Sequence, residues 1–342
     1  MDMKMWTILL FPLAWIYGLI MGIRNRLFDW GISFSLKIKQ NSIGVGNLSV
    51  GGTGKSVVID YLIDLFKPTH SIFVVSRGYK RKTKGVVIAS EKSTAETIGD
   101  EPFQFFAKHK GIGVVVAEKR ISGIKAINQL RSQPSLFLLD DVMQHRHVNP
   151  KIMILTTSFQ HPYFNDYLLP YGRLRESRSG AKRAQIILVT KCPAELTLAK
   201  QHIFQKKLRL QANQHLFFAK INYSEEILNH EKRKSLETLT TSFLLITGVA
   251  NPDPLVSFLE AKGQKFNHLK FPNHHRFRTG DITKIKQLKG DRVILTTEKD
   301  FGRLMPYFSS SELYYLPISM SFVNKDDTLR FKLTLEEAMS SS

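Results

Sequence analysis

The sequence has very little cysteine: Cys192 is the only one in 342 residues. An intramolecular disulfide and a four-cysteine zinc or iron–sulfur site are therefore excluded, and a reducing compartment fits. Glycine and proline, with 21 and 13 residues, are near their usual abundance, which excludes a collagen-like or proline-rich chain. Hydrophobic residues at 43% and charged residues at 23% exclude a largely disordered chain and a polytopic transporter. The length predicts two globular lobes.

Acidic residues are scarce relative to basic ones. The 29 Asp and Glu residues stand against 49 Lys and Arg residues, so the formal net charge is +20. A surface of this sign attracts polyanions such as nucleotide phosphates, anionic lipid or nucleic acid. A general preference for lysine is the alternative explanation. Charge alone does not identify the partner, so the local motifs must.

Charged residues are absent from Met5 to Ile23, a run of 19 residues that precedes Arg24 and Arg26. No Ala-x-Ala-like cleavage site precedes Arg24, which argues against a removable signal peptide. The run is borderline in length for a spanning helix, and aromatic residues within it, such as Trp15, suit the headgroup region. We predict a membrane-associating helix over residues 1–30 that lies in the interface. A single span and packing against the protein itself are the alternatives.

From about residue 41, short β-branched runs alternate with helix-like stretches such as Ser56–Phe66 and Lys119–Leu130. Several of the runs are apolar throughout, as in a parallel sheet that is covered on both faces. We therefore predict an α/β fold with a doubly wound, mostly parallel sheet over residues 31–190. The predicted strands are Ile43–Val45, Ile72–Val75, Val86–Ala89, Val114–Ala117, Leu136–Leu139, Ile152–Leu155 and Ile186–Val189.

A second set of strands and helices follows residue 193. It predicts a smaller C-terminal α/β lobe over residues 191–342, with a boundary that the composition defines only loosely. The predicted strands are Leu216–Ile221, Phe243–Ile246, Gln264–Leu269 and Arg292–Leu295, and the predicted helices are Asp253–Lys262 and Ile282–Leu288.

The strongest motif is Gly46-Asn-Leu-Ser-Val-Gly-Gly-Thr-Gly-Lys-Ser56, between an apolar strand and a helix. In this context a glycine-rich segment is typical of a P-loop, whose backbone N–H groups and helix N-terminus bind phosphate. We expect Lys55 to reach the β- and γ-phosphates and the Ser56 hydroxyl to ligate Mg²⁺. Ser49 replaces the first glycine of the usual pattern. The predicted nucleotide-binding residues of the loop are Ser49, Val50, Gly51, Gly52, Thr53, Gly54, Lys55 and Ser56.

Two carboxylates, Asp140 and Asp141, follow the apolar run Leu136–Leu139. A P-loop protein needs an acid at the end of a neighbouring strand, where Mg²⁺ lies opposite the loop hydroxyl. We therefore predict Asp140 and Asp141 as metal ligands together with Ser56. Consecutive residues at a strand end point in different directions, so one of the two is expected to be the main contact.

The segment Thr190-Lys-Cys-Pro193 bears on the choice of nucleotide. Guanine-specific P-loop proteins place Asn-Lys-x-Asp after a strand, and here Pro193 stands at the Asp position. Recognition of guanine through a carboxylate is therefore not available. The sequence favours ATP, or a loose preference for the base.

Taken together, the motifs resemble those of the tetraacyldisaccharide 4'-kinases of lipid A biosynthesis. Each motif is weak by itself, but their order and spacing are specific to this family. The matching segments are Gly46–Ser56, Ser76-Arg-Gly-Tyr79, Gly99-Asp-Glu-Pro102, Asp140-Asp with Gln144-His-Arg146, Arg175-Glu176, Thr190-Lys191, Thr247-Gly248 with Ala250-Asn-Pro252, Phe271 with His274-His275 and Phe277, and Thr296-Thr-Glu-Lys-Asp300.

The resemblance implies a P-loop NTPase-like kinase that uses ATP and Mg²⁺. Its acceptor would be the 4'-hydroxyl of an acylated glucosamine disaccharide 1-phosphate, and its product lipid IVA. The enzyme would work at the cytoplasmic face of the bacterial inner membrane, held peripherally or by its N-terminus. Nucleic acid and an obligate protein partner are not expected.

The resemblance also implies roles for single residues. Asp100 resembles the family's general base for the sugar hydroxyl, and His274 resembles its paired histidine. Arg175 would neutralise charge on the γ-phosphate, and Glu176 would belong to the metal or phosphate network. Further expectations are phosphate or substrate binding by Arg77 and Arg120 and support of the Asp140–Asp141 loop by Gln144 and His145.

The chain departs from the family pattern at Val142-Met143, where the family usually has Gly-Phe. Because valine disfavours a positive φ, the loop conformation is expected to differ there. Activity is expected to survive, since neither residue has a primary role.

Two other functions remain open at this point. A membrane-associated P-loop NTPase could act as a switch or chaperone, but such proteins use Cys and His ligands or guanine specificity. A non-enzymatic nucleic-acid-binding protein would interleave aromatic and basic residues on one surface. The segment Tyr79-Lys-Arg-Lys82 is the one small sign of the latter.

Overall fold

The structure is a computed structural model that describes residues 10–130, 134–229 and 231–340. Residues 5–9 of the predicted apolar run lie outside the described residues. From residue 11 the run continues into a helix, Phe11–Asp29. No helix in the described ranges has the length and hydrophobicity needed to cross a bilayer.

The described residues form seventeen strands in three sheets. The strands are β1 (Leu36–Lys37), β2 (Asn41–Gly46), β3 (Ile72–Ser76), β4 (Val87–Ile88), β5 (Gly113–Val116), β6 (Leu136–Asp140), β7 (Val148–Asn149), β8 (Ile152–Ser158), β9 (Ile186–Thr190), β10 (His215–Tyr223), β11 (Glu226–Leu228), β12 (Arg233–Ser235), β13 (Phe243–Thr247), β14 (Phe266–Lys270), β15 (Ile294–Thr297), β16 (Leu313–Leu316) and β17 (Ile318–Phe322).

Helices and short 3₁₀ segments connect the strands. The helices are α1 (Phe11–Asp29), α2 (Lys55–Phe66), α3 (Ala95–Ile98), α4 (Asp100–Lys108), α5 (Arg120–Asn128), α6 (Leu198–Leu208), α7 (Asp253–Ala261), α8 (Thr279–Lys289), α9 (Glu298–Leu304) and α10 (Asp327–Ser340). The 3₁₀ segments are Tyr163–Asn165, Arg178–Arg183, Leu236–Thr238 and Met305–Tyr307.

The large sheet has nine strands in the order β17-β10-β9-β8-β2-β6-β3-β5-β4. Its interior pairs are parallel, and only the edge strands β17 and β4 run antiparallel to their neighbours. Apolar residues of α2, α4 and α10 cover one face, and those of α5 and α6 cover the other. Burial on both faces explains why the central strands are apolar throughout. The predicted doubly wound sheet is confirmed.

The second sheet has six strands in the order β12-β11-β16-β15-β13-β14. Residues of α7 pack on one face of it, and residues of α8 and α9 pack on the other. This sheet and its helices form a smaller α/β lobe, as the sequence predicts.

The structure divides the chain differently from the predicted boundary at residues 190 and 191. β10 and β17 both belong to the large sheet, and α10 packs on its core through Phe331 and Leu335. The smaller lobe is therefore an insertion that runs from β11 to β16, between two neighbouring strands of the large sheet. The sequence did not predict that β17 and α10 belong to the large sheet, because the residue pattern of an edge strand or a surface helix does not identify the sheet it packs with.

Candidate active site

The P-loop connects the end of β2 at Gly46 to the start of α2 at Lys55. Gly51 and Gly54 have left-handed backbone conformations, with φ of +108° and +82°. Glycine adopts these angles without the steric cost that a Cβ would add, so the loop can turn its N–H groups toward a ligand. Gly54 caps α2, whose N-terminus carries the positive end of the helix dipole.

Threonine hydroxyls from the strands beneath the loop hold it in place. The Thr53 and Thr156 hydroxyl oxygens are 2.8 Å apart, and the Thr190 hydroxyl donates to the Thr53 carbonyl at 2.7 Å. Lys191 Nζ donates to the Gly52 carbonyl, also at 2.7 Å. The segment that the sequence related to base recognition therefore braces the phosphate loop.

Lys55 and Arg175 converge on Asp141 at the mouth of the loop. Lys55 Nζ lies 3.5 Å from Asp141 Oδ1, and Arg175 donates to both carboxylate oxygens, at 3.1 and 2.9 Å. Burial raises the pKa of Asp141, but Lys55 and Arg175 outweigh burial and hold that pKa well below its usual range. Both cations also donate to the Asn47 side-chain oxygen, so Asn47 positions them together.

Asp140 is buried at the end of β6, beside Asp141. Its Oδ2 accepts a hydrogen bond from the Ser76 hydroxyl at 2.9 Å, but its Oδ1 has no partner among the described residues. Burial and the negative charges of Glu101 and Asp141 raise the pKa of Asp140 to about 7. A buried carboxylate oxygen without a donor, crowded by two further carboxylates, fits a divalent cation. The predicted pair therefore lies in a setting suited to Mg²⁺.

Glu101 was not predicted as a functional residue, and it connects the P-loop to the smaller lobe. Its Oε1 accepts hydrogen bonds from the Ser56 hydroxyl at 2.8 Å and from Lys299 Nζ at 2.5 Å. Burial raises the pKa of Glu101, but Lys299 outweighs burial and lowers it to about 2. The sequence places Glu101 and Lys299 within matching motifs but gives no sign that they meet.

Asp100 and His274 lie together, although 174 positions separate them. Asp100 is the first residue of α4, and its Oδ2 lies 3.0 Å from His274 Nδ1. His274 has a left-handed φ of +56°, and its backbone N–H donates to the Gly248 carbonyl. Tyr79 lies edge-on to the imidazole, with ring centroids 5.9 Å apart. The structure thus joins two residues that the family resemblance pairs.

Asp300 and Arg303 support the smaller lobe's half of this pair. The buried Asp300 Oδ2 accepts from the Gly248 N–H at 2.8 Å, and Arg303 pairs with Asp300 Oδ1 at 2.9 Å. Arg303 also donates to the His275 carbonyl and lies 3.6 Å from Asp100 Oδ2. The motif residues around 248 and 300 therefore hold the His274 turn against α4.

Glu176 is placed differently from the expected metal or phosphate network. It is 1% exposed, and its two oxygens accept from Arg183, Gln144 and Asn25 at 2.8–3.0 Å. With both oxygens occupied by protein donors, a structural role fits this carboxylate better. Gln144 also donates to the Asn47 carbonyl at 2.9 Å, which joins the segment after Asp141 to the start of the P-loop.

The departure at Val142-Met143 leaves the turn intact. Asp141 has the left-handed φ of +46°, and Val142 is not among the residues of positive φ. Val142 and Met143 are buried, and they pack so closely on β2 that a Cβ on Gly44 or Gly46 would overlap them. Because Asp141 adopts the left-handed conformation at this turn, a valine at position 142 does not require a different loop conformation.

Two basic residues, Arg120 and His145, lie near the strand-end acids Asp140 and Asp141. Arg120 is buried and donates to the Asp140 carbonyl at 3.0 Å. Burial, together with the charges of Arg120 and Arg77, lowers the pKa of His145 to about 4. The imidazole of His145 therefore adds no positive charge to the guanidinium groups beside it at neutral pH.

A parallel sheet with a P-loop, strand-end acids and a half-buried carboxylate–imidazole pair defines a P-loop phosphotransferase. A family model described as tetraacyldisaccharide-1-P 4'-kinase matches residues 6–337. A tetraacyldisaccharide 4'-kinase of Flavobacterium johnsoniae is 46% identical over 317 residues, which are 92% of this chain and 93% of the relative. One of Bacteroides thetaiotaomicron is 40% identical, over 93% of this chain and 90% of the relative.

A solved structure agrees with these relatives. The crystal structure of LpxK from Aquifex aeolicus in complex with ATP matches with a TM-score of 0.77 and 28% identity. The match covers 97% of this chain and 99% of that one. The chain belongs to the tetraacyldisaccharide-1-P 4'-kinase family, and the resemblance seen in the sequence is confirmed.

Proposed function

We propose that the protein transfers the γ-phosphoryl group of ATP to the 4'-hydroxyl of a tetraacyldisaccharide 1-phosphate, which forms lipid IVA. The names of the relatives support the acceptor, and the Aquifex aeolicus complex supports ATP. One observation carries the proposal: the Asp100–His274 pair stands next to Glu101, whose carboxylate binds the P-loop residue Ser56. A proton acceptor and a phosphate loop are thus held side by side.

The loop residues 49–56 would bind the triphosphate through their backbone N–H groups. Lys55 would leave Asp141 to contact the β- and γ-phosphates, because a phosphate carries more charge than the carboxylate it replaces. Arg175, which also contacts Asp141, would neutralise charge that develops on the transferred group. Arg77 and Arg120 would add to the same field.

Ser56, Asp140 and Asp141 would hold Mg²⁺, which would neutralise charge on the β- and γ-phosphates. Glu101 would orient Ser56, because it accepts the hydrogen bond of the Ser56 hydroxyl and leaves the lone pairs of Ser56 Oγ free for the cation. The unpartnered Asp140 Oδ1 is the atom in this site that most needs a cation.

Asp100 would accept the proton of the 4'-hydroxyl as its oxygen attacks the γ-phosphorus. The new O–P bond forms while the bond from phosphorus to the β,γ-bridging oxygen breaks, and ADP leaves. His274 would hold the Asp100 carboxylate in position and share the proton that it gains. Positioning and charge neutralisation carry most of the rate enhancement in such a reaction.

The protein would meet its lipid acceptor at a membrane surface, which we place at the cytoplasmic face of the bacterial inner membrane. Large apolar side chains of α1 are exposed, among them Trp15 at 68% and Ile20 at 59%. The opposite side of α1 is attached to the active-site loops: Tyr17 donates to the Arg175 carbonyl, and Arg24 to that of Gln144. Insertion of the apolar side chains would add to the attraction between basic residues and anionic headgroups.

The test is a phosphotransfer assay with purified protein, ATP, Mg²⁺ and a lipid A precursor in detergent micelles. We expect phosphorylated lipid and ADP in equal amounts, with no ADP when the acceptor is omitted. ATP hydrolysis beside an unphosphorylated lipid would overturn the proposal and favour an NTPase that works as a switch or chaperone.

A further inference from the structure

A cavity of about 520 Å³ opens between α1 and residues 177–183. Three glycines, Gly18, Gly22 and Gly180, contribute to its wall. A Cβ built on Gly22 would meet no other atom within 4 Å, so this part of the cavity is open. None of the residues proposed above to bind nucleotide, metal or acceptor lines the cavity.

The helix side of the cavity is amphipathic. Leu19, Gly22, Ile23 and Arg26 follow one another at the spacing of a single helix face. Leu19 and Ile23 are each more than half exposed, at 52% and 51%, and they continue the apolar surface of α1. The cavity therefore runs from an apolar helix surface to a basic end at Arg26.

The basic end has cations without an internal partner. Within the residues that the structure describes, Arg26 and Lys182 form no ion pair. Asp29, the carboxylate in the lining, forms an ion pair with Arg146 at 2.6 Å. The hydroxyls of Ser177 and Ser179, whose oxygens are 2.6 Å apart, add polar groups at the same wall.

We propose that this cavity binds an anionic phospholipid of the bilayer. Its phosphate would lie at Arg26 and Lys182, and the first part of an acyl chain would lie along Leu19 and Ile23. A nucleotide would leave the apolar wall unused, and an acyl chain alone would leave the cations uncompensated. The proposal rests on the membrane association proposed for α1, because a lipid can enter from the surface that α1 contacts.

The test measures how much phosphatidylglycerol and phosphatidylcholine the purified full chain retains, without nucleotide or acceptor. Native mass spectrometry after release from mixed detergent micelles counts the bound lipids. We expect preferential retention of phosphatidylglycerol, and about a fivefold loss of that preference in Lys182→Ala, as one basic residue near an anionic surface contributes. Lys206→Ala, which removes the same charge from exposed α6, should keep the preference.

A second variant separates a defined cavity from diffuse attraction. Gly22→Leu leaves the net charge unchanged and adds apolar area, so it should raise general binding to vesicles of phosphatidylcholine. Because its side chain projects into the open part of the cavity, between the apolar wall and Arg26, it should abolish the preference for phosphatidylglycerol. A preference that survives in Gly22→Leu, or that falls equally in Lys182→Ala and Lys206→Ala, would overturn the proposal. Neither readout involves phosphotransfer, so a failure of the proposed kinase activity would be seen separately.

Discussion

Lys299 Nζ donates to Glu101 Oε1 at 2.5 Å, the same oxygen that accepts the Ser56 hydroxyl. The residue before Glu101 is Asp100, which pairs with His274. Two consecutive carboxylates of α4 thus each receive a partner from the smaller lobe. The contacts of that lobe therefore hold the proposed acceptor end and the proposed metal end of the site together.

We predict that Lys299→Met weakens Mg²⁺ binding at the P-loop without changing the Asp100–His274 pair. Removal of the ammonium leaves Glu101 without its cation, so its pKa rises and Ser56 loses a fixed acceptor. The Mg²⁺ concentration for half-maximal transfer should rise about tenfold, as when a residue that orients a metal ligand is lost. Electron paramagnetic resonance of bound Mn²⁺ measures the same loss without catalysis.

Lys299→Arg should restore most of the metal affinity, because it returns the charge. Lys286→Met, on the exposed face of α8, is the matched control for loss of one lysine. Equal Mn²⁺ affinity in Lys299→Met and the wild type would contradict the role of Lys299.

We predict that Asp100→Ala abolishes most phosphotransfer without unfolding the protein. The isosteric Asp100→Asn should lower kcat by about 10²–10⁴-fold, the range of a lost general base, while ATP binding persists. Single-turnover assays and nucleotide titration separate the two effects. Turnover like that of the wild type in either variant would remove Asp100 from the reaction.

We predict that Lys55→Ala loses both transfer and ATP affinity. The lost ammonium contact to developing phosphate charge should lower kcat by about 10²–10³-fold. Circular dichroism should show the native fold, since Lys55 contacts the loop and not the core. Lys67→Ala, at the exposed far end of α2, is the control. If ATP binds as tightly to Lys55→Ala as to the wild type, the proposed phosphate contact is excluded.

We predict that His145 makes the protein less stable in acid. Burial, Arg120 and Arg77 lower its pKa from 6.5 to about 4 in the folded state. Between these values the unfolded chain binds more protons than the folded one, so stability falls as the pH falls. His145→Gln should therefore lose less unfolding free energy than the wild type between pH 6.5 and pH 4, as measured by urea denaturation. Parallel pH profiles would show that His145 is not held neutral.

The sequence predicted the elements that local chemistry determines. The glycines of the P-loop, the apolar strands and the carboxylates after β6 each carry a pattern within a few residues. Pairs such as Glu101–Lys299 depend on how the two lobes pack, and no local pattern records that. The surroundings of Glu176 were likewise not predictable, because two of its donors, Asn25 and Gln144, come from distant segments.

The return of the chain to the large sheet has a practical consequence. Ser224 and Pro317, at the two borders of the smaller lobe, are joined by a backbone hydrogen bond of 3.0 Å. A short turn between them could replace the whole lobe, since chain ends that lie this close are the usual points of domain grafting. Such an excision would take away His274 and Lys299 but leave the glycine cradle on its strand. The proposed base Asp100 and the phosphate loop would therefore stay with the large sheet, and only the partners that hold Asp100 and Glu101 in place would be lost.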